Sequence, residues 1–90
     1  MELLFTIDED TYDRSFEVDG DLLLFQIPSE ANVDGIGIGI AQLQRQDGHN
    51  HAVEVIFYKS LPGLSGFREA CYLKNVSKSD IEIGTTVWLM

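Results

Sequence analysis

Ninety residues leave room for one domain, whose folding removes only roughly 60–65% of the surface the unfolded chain exposes, so the core must be modest. Apolar residues make up 44% of the chain and aromatic ones 10%, a content that excludes intrinsic disorder. The formal net charge of −9 disfavours nucleic acid and anionic membranes as partners, because both carry charge of the same sign.

The first apolar pattern is Leu3, Phe5 and Ile7 alternating with Leu4 and Thr6, which predicts a strand. It ends in the polar run Asp8 to Asp13, read as an acidic loop. Phe16-Glu17-Val18, the dipeptide Asp19-Gly20 and the alternation of Leu23, Phe25 and Ile27 with Leu22, Leu24 and Gln26 predict a hairpin with a two-residue turn, closed by Pro28. The stretch Gly35-Ile36-Gly37-Ile38-Gly39-Ile40 would be very costly as a helix. As a strand it lines one face with isoleucine and leaves the other bare, so that a large side chain, with Trp88 as one candidate, or another backbone can lie close.

That strand is expected to continue through Ala41 and Leu43 towards Gln46, with a turn at Asp47-Gly48-His49-Asn50. The next runs from about His51 to Leu61, setting Val53, Val55 and Phe57 against Ile56 and Tyr58, and Pro62-Gly63 followed by Ser65-Gly66 closes it. Residues 67–76 favour strand over helix through their aromatic and β-branched content. In the last strand Ile81, Ile83, Thr85, Val87 and Leu89 share one face, opposite Glu82, Gly84, Thr86 and Trp88. The fold class is therefore all-β, a small antiparallel β-sandwich or partly closed barrel of six to seven strands in a single domain over residues 1–90. The alternative is α+β with one short helix around residues 67–76.

The start Met1-Glu2-Leu3-Leu4-Phe5 lacks the basic flank and apolar stretch of an export signal. No apolar run approaches the roughly 20 residues that cross a bilayer. Cys71, the single cysteine, can form no internal disulfide. A cytoplasmic location is expected.

The charge is not spread evenly. Residues 1–34 hold ten acids and one base, Arg14, whereas residues 35–90 hold five of each, so the entire excess of −9 lies in the first part. Such a field attracts basic proteins at a rate that falls with salt. It could equally serve only to keep the chain soluble and its sheet edges apart.

Asp8, Asp10 and Asp13 invite a calcium reading, but an EF-hand counted from Asp8 meets Tyr12 at its fifth position, Asp13 at its sixth where glycine belongs, and Asp19 at its twelfth where glutamate belongs. His49 and His51, near Asp47 and Glu54, would face one side of a strand as a metal pair requires, yet no second motif completes a site. Cys71 between Ala70 and Tyr72 reads as a small core residue rather than a thiolate. Gly35, Gly37 and Gly39 lead into no helix and have no adjacent lysine, so they form no phosphate loop. No catalytic residue, metal or cofactor is expected.

The functional expectation is a non-enzymatic inhibitor or adaptor that docks on a basic surface of a partner protein, for instance a nucleic-acid-binding enzyme. Immunity proteins and phage-encoded inhibitors of anti-CRISPR or DNA-mimic type share this physical profile: small, acidic and without a site. The expected contact residues are Asp8, Glu9, Asp10, Tyr12, Asp13, Asp19 and Asp21. Two other classes stay open. One is an assembly protein, a homodimer for instance, that oligomerises through its sheet edges by way of the Gly-Ile strand or the apolar C-terminal strand. The other is a small ligand- or calcium-binding β-module.

Overall fold

A computed structural model describes residues 2–18, 21–28, 36–58 and 67–90, with the backbone alone at 27, 28, 36, 58 and 67–70. Its strands are β1 (Glu2–Thr6), β2 (Phe16–Val18), β3 (Leu22–Pro28), β4 (Ile36–Gln44), β5 (Asn50–Tyr58), β6 (Phe67–Lys74) and β7 (Thr86–Leu89), with one helix, α1 (Glu9–Arg14), and a 3-10 turn at Lys78–Asp80. All seven strands join one sheet in the order β1-β7-β4-β5-β6-β3-β2. Every neighbouring pair is antiparallel, and the sheet curls into a half-barrel.

The curl follows from chain length. Six spacings of about 4.8 Å would hold the edges of a flat seven-stranded sheet about 29 Å apart, whereas the connection from Thr6 to Phe16, part helical, reaches at most about 25 Å. That connection joins β1 to β2, the two edge strands, so the edges must approach each other. Phe5 of β1 and Phe25 of β3 show the result, their rings 5.6 Å apart across the interior.

The inner face carries the core: Leu23 and Phe25, Ala41 and Leu43, Val53 and Val55, Cys71 and Leu73, and Val87 are buried in one cluster with Phe5, Ile7, Val76 and Ile81. Period-two alternation produces this arrangement, since each strand contributes every second residue. Gly37 lies on the same face beneath the Phe57 ring, where a Cβ would stand 2.7 Å from Phe57 Cζ. The glycine face is thus covered by Phe57, and near Gly39 by Leu89, rather than by Trp88. Trp88 pairs in register with Leu3 and Gln42 and donates its indole N–H to Thr86 Oγ1 at 2.8 Å.

Several expectations need correction. The run after β1 is a helix, not a loop. Asp8 caps it by accepting the Thr11 N–H at 2.7 Å, Glu9 and Asp10 occupy its first turn and Arg14 its last, an order that suits the helix dipole. Residues 67–74 form strand β6, as their composition favoured, and only the alternative fails, since the short helix lies at 9–14 and not near 67–76. The C-terminal strand begins only at Thr86. Before it Gly84 adopts φ 98° and donates its N–H to Ile7 O at 2.7 Å, and Ile83 is exposed. The alternation through Ile81 and Ile83 therefore mimicked a strand across a turn.

Val18 pairs with Leu22 across the β2–β3 hairpin. Asp21, just before β3, adopts a left-handed φ of 61°. The expected turn residues Asp19 and Gly20, Gly35, and the expected loop at 62–66 lie outside the described residues. At the other predicted turn Gly48 adopts φ 91°, and Arg45 N–H bonds His49 O at 2.9 Å. β7 lies inside the sheet, so the C-terminal strand offers no free edge; β4 pairs with β7 only from Ala41 to Gln44, so among the described residues the stretch Gly37–Gly39 is paired by a strand on its β5 side alone. Among the described residues, no helix is long and apolar enough to cross a membrane.

Candidate functional site

α1 links the two edge strands, β1 and β2, and packs against β3. Its inward side carries Thr11, fully buried, and Tyr12, half-buried against the core cluster. Its outward side exposes Glu9, Asp10 and Asp13, with Asp8 at the cap. The turn at Lys78–Asp80 fastens the helix and β2 from below. Lys78 Nζ donates to Ser15 O at 2.9 Å and lies 4.9 Å over the Tyr12 ring, its backbone N–H bonds Glu17 Oε1 at 2.9 Å, and Tyr12 Oη donates to Lys78 O at 3.4 Å.

Of the expected contact residues the structure gathers Asp8, Glu9, Asp10 and Asp13 on one helix. It separates the others. Tyr12 belongs to the rim of the core. Asp21 sits at the far end of the β2–β3 hairpin, beside a recess of about 260 Å³ lined by Glu17, Val18, Leu22 and the residues 75–77. Asp19 is outside the described residues.

The carboxylates on the helix differ in engagement. Backbone hydrogen bonding from Thr11 holds Asp8 below the usual aspartate range. Asp10 pairs with Arg14 at 3.5 Å, both well exposed, a contact worth about 0–1 kcal/mol. Glu9 and Asp13 meet no basic group among the described residues.

A second feature was invisible in the sequence. Among the described residues β5 and β6 pair through Val55–Leu73, Ile56–Tyr72 and Phe57–Cys71, and beyond Val55–Leu73 they diverge. A cleft of about 560 Å³ opens between them, lined among others by Arg45, His51, Glu54, Lys74 and Asp80. These residues come from four separate segments, so no local motif could reveal them. The cations are already matched: Lys74 Nζ lies 3.4 Å from Glu54 Oε2, and Arg45 Nη2 lies 3.2 Å from Glu82 Oε1 and 3.3 Å from Asp80 O. The cleft is polar and charge-balanced, which suits water better than an ion.

His49 stays in the turn, with its Nδ1 3.0 Å from Asp47 Oδ2, while His51 lies on β5, and both are exposed. Hydrogen bonding from the His49 N–H holds the Asp47 carboxyl below its usual range. Among the described residues no three His, Cys, Asp or Glu side chains come together as a metal site would need. Cys71 is fully buried, and desolvation pushes its thiol up to about 12, opposite to what a nucleophile requires.

Comparison of the chain with protein-family models, with curated proteins and with solved structures produced no match.

Proposed function

We propose that the protein is a non-enzymatic binding module of the inhibitor or adaptor class, docking the outward side of α1 on a basic surface of a partner protein. The supporting observation is the division of the helix: Thr11 and Tyr12 anchor it on the core, while Glu9 and Asp13 stand exposed without a basic partner among the described residues. A charge held on an anchored helix is pre-ordered, so binding need not order a loop. Nuclease-neutralising immunity proteins and DNA-mimicking or anti-CRISPR inhibitors work by this kind of charge matching, and they define the partner class.

The test is affinity purification of the tagged chain from its native host at low and high salt, followed by association kinetics with the partner recovered. Glu9→Lys with Asp13→Lys should slow association and flatten its salt dependence, because exposed interface charges act mainly on the on-rate. Asp8 is unsuitable for this test, since its reversal would also uncap the helix. Glu54→Lys, on the outer face of the sheet, is the control. Equal slowing by control and helix variants, or association as fast at high salt as at low, would reduce the acidic helix to a solubility device.

A further inference from the structure

β6 leaves the sheet before β5 does. At Asn75 the backbone takes a left-handed φ of 60°, and the Asn75 N–H bonds Asp21 O at 2.7 Å, which turns the chain away towards the β2–β3 hairpin. β5 keeps its pairing with β4 back to Asn50, but beyond Val55–Leu73 no strand joins its other side among the described residues. The β4–β5 turn fixes which way its main-chain groups face. Arg45 donates its N–H to His49 O, so in an antiparallel ladder His51, Val53 and Val55 bond towards β4, and the alternate residues Asn50, Ala52, Glu54 and Ile56 turn their N–H and C=O the other way. Ile56 meets Tyr72. Ala52, exposed and lining the cleft between β5 and β6, is left with a donor and an acceptor aimed into it.

We propose that the cleft is a binding site for an uncharged, extended peptide, which takes the place β6 vacates and adds a strand to β5. Ladder geometry selects the occupant. The open groups of Asn50 and Ala52 repeat at two residues, about 6.8 Å, a period that another extended main chain matches and an ion or a rounded small molecule does not. The walls agree with this. Val53 and Val76 belong to the core cluster and line the cleft, so every second side chain of an added strand rests on apolar surface. Arg45 and Lys74 balance Glu54 and Asp80 around it, and both cations are engaged, Lys74 with Glu54 at 3.4 Å and Arg45 with Glu82 at 3.2 Å, which leaves a charged ligand no partner. A volume of about 560 Å³ falls within the range of about 300–1,000 Å³ usual for ligand sites. A second copy of the chain is opposed by repulsion between two net charges of −9.

Hydrogen exchange read by NMR on the full chain tests this with four neutral probes, the acetylated and amidated hexapeptides Gln-Thr-X-Thr-X-Gln in which X is Ala, Val, Leu or Phe. In the free chain the Ala52 amide should exchange far faster than those of Val53 and Val55, which the β4 ladder protects. At about ten times its Kd, the best of the peptides should slow Ala52 exchange about tenfold. Of two copies of that peptide, N-methylated at both Thr or at both X residues, one should bind about tenfold more weakly than the other, because only one loses the donor that faces Ala52 C=O. Ala52→Pro removes the N–H that faces the cleft and spares the β4 ladder, as an open edge allows, so it should weaken binding to a similar extent. Should that variant fail to fold, the N-methylated pair decides alone. Glu9→Lys with Asp13→Lys should bind the peptides like the native chain, and loss of binding there would place them on α1 instead. The proposal is overturned if none of the four protects Ala52 at about 5 mM, or if both N-methylated copies bind equally. Protection of Ala52 that rises with protein concentration in the absence of peptide, as a second copy would give, overturns it too.

Discussion

One methyl group added to β4 tests how the inner face is packed. A Cβ at Gly37 would lie 2.7 Å from Phe57 Cζ and 3.0 Å from Cε2, against the roughly 3.5–4.0 Å at which carbon atoms rest. The ring must retreat by about 1 Å, and it packs against the buried cluster, so its neighbours must yield too. Overpacking of this kind costs about 1–3 kcal/mol, while replacing a strand glycine returns about 0.5–1 kcal/mol. Gly37→Ala should therefore lose about 1 kcal/mol, some 4–8 °C in Tm for a domain of this size.

Gly39→Ala is the internal control. Its Cβ would meet only Leu89 Cδ1, at an ordinary 3.5 Å, so it should be neutral or stabilising by up to about 1 kcal/mol. Urea unfolding followed by circular dichroism measures both variants. Adding Phe57→Leu to each background completes a double-mutant cycle, in which only the Gly37 pair should show coupling, of about 0.5–3 kcal/mol. Gly37→Ala as stable as Gly39→Ala would refute the close contact between ring and backbone.

Asp8→Ala should cost about 0.5–2 kcal/mol, the usual loss for an N-cap. Because the folded carboxyl titrates below its unfolded value near 3.8, the stabilisation from its charge is complete above that pH and fades as pH falls through the folded value. Asp8→Asn should keep the cap but remove this acid dependence, and urea midpoints across that range would show whether it does. Cys71, its thiol raised to about 12, should resist thiol reagents near pH 8 until the protein opens, so labelling should accelerate in step with added denaturant; complete labelling within minutes in native buffer would contradict its burial.

The strands and the core were legible because alternation records which side chains face inward. Leu23, Phe25, Val53 and Val55 fall where their spacing places them, and the bare glycine face of β4 announced a close neighbour. The helix at 9–14 reads as a loop in the sequence: the cap Asp8 and the dipole order of Glu9, Asp10 and Arg14 stand there, but six residues are too few for an apolar period to register. The false strand at Ile81–Thr85 shows the converse, since alternation reports side and not continuity, and the positive φ of Gly84 is a property of the folded turn.

Charge segregation between residues 1–34 and the remainder belongs to the sequence alone. Tertiary structure decided how that charge divides, carrying Asp8, Glu9, Asp10 and Asp13 on an anchored helix, turning Tyr12 inward and leaving Asp21 off the helix, at the β2–β3 hairpin. It also set Ile38 and Ile40 on the outer face and opened the cleft between β5 and β6. Strand order is the reason. Which strands become neighbours depends on contacts between residues far apart in the chain, such as Phe5 with Phe25, and local spacing carries no record of them.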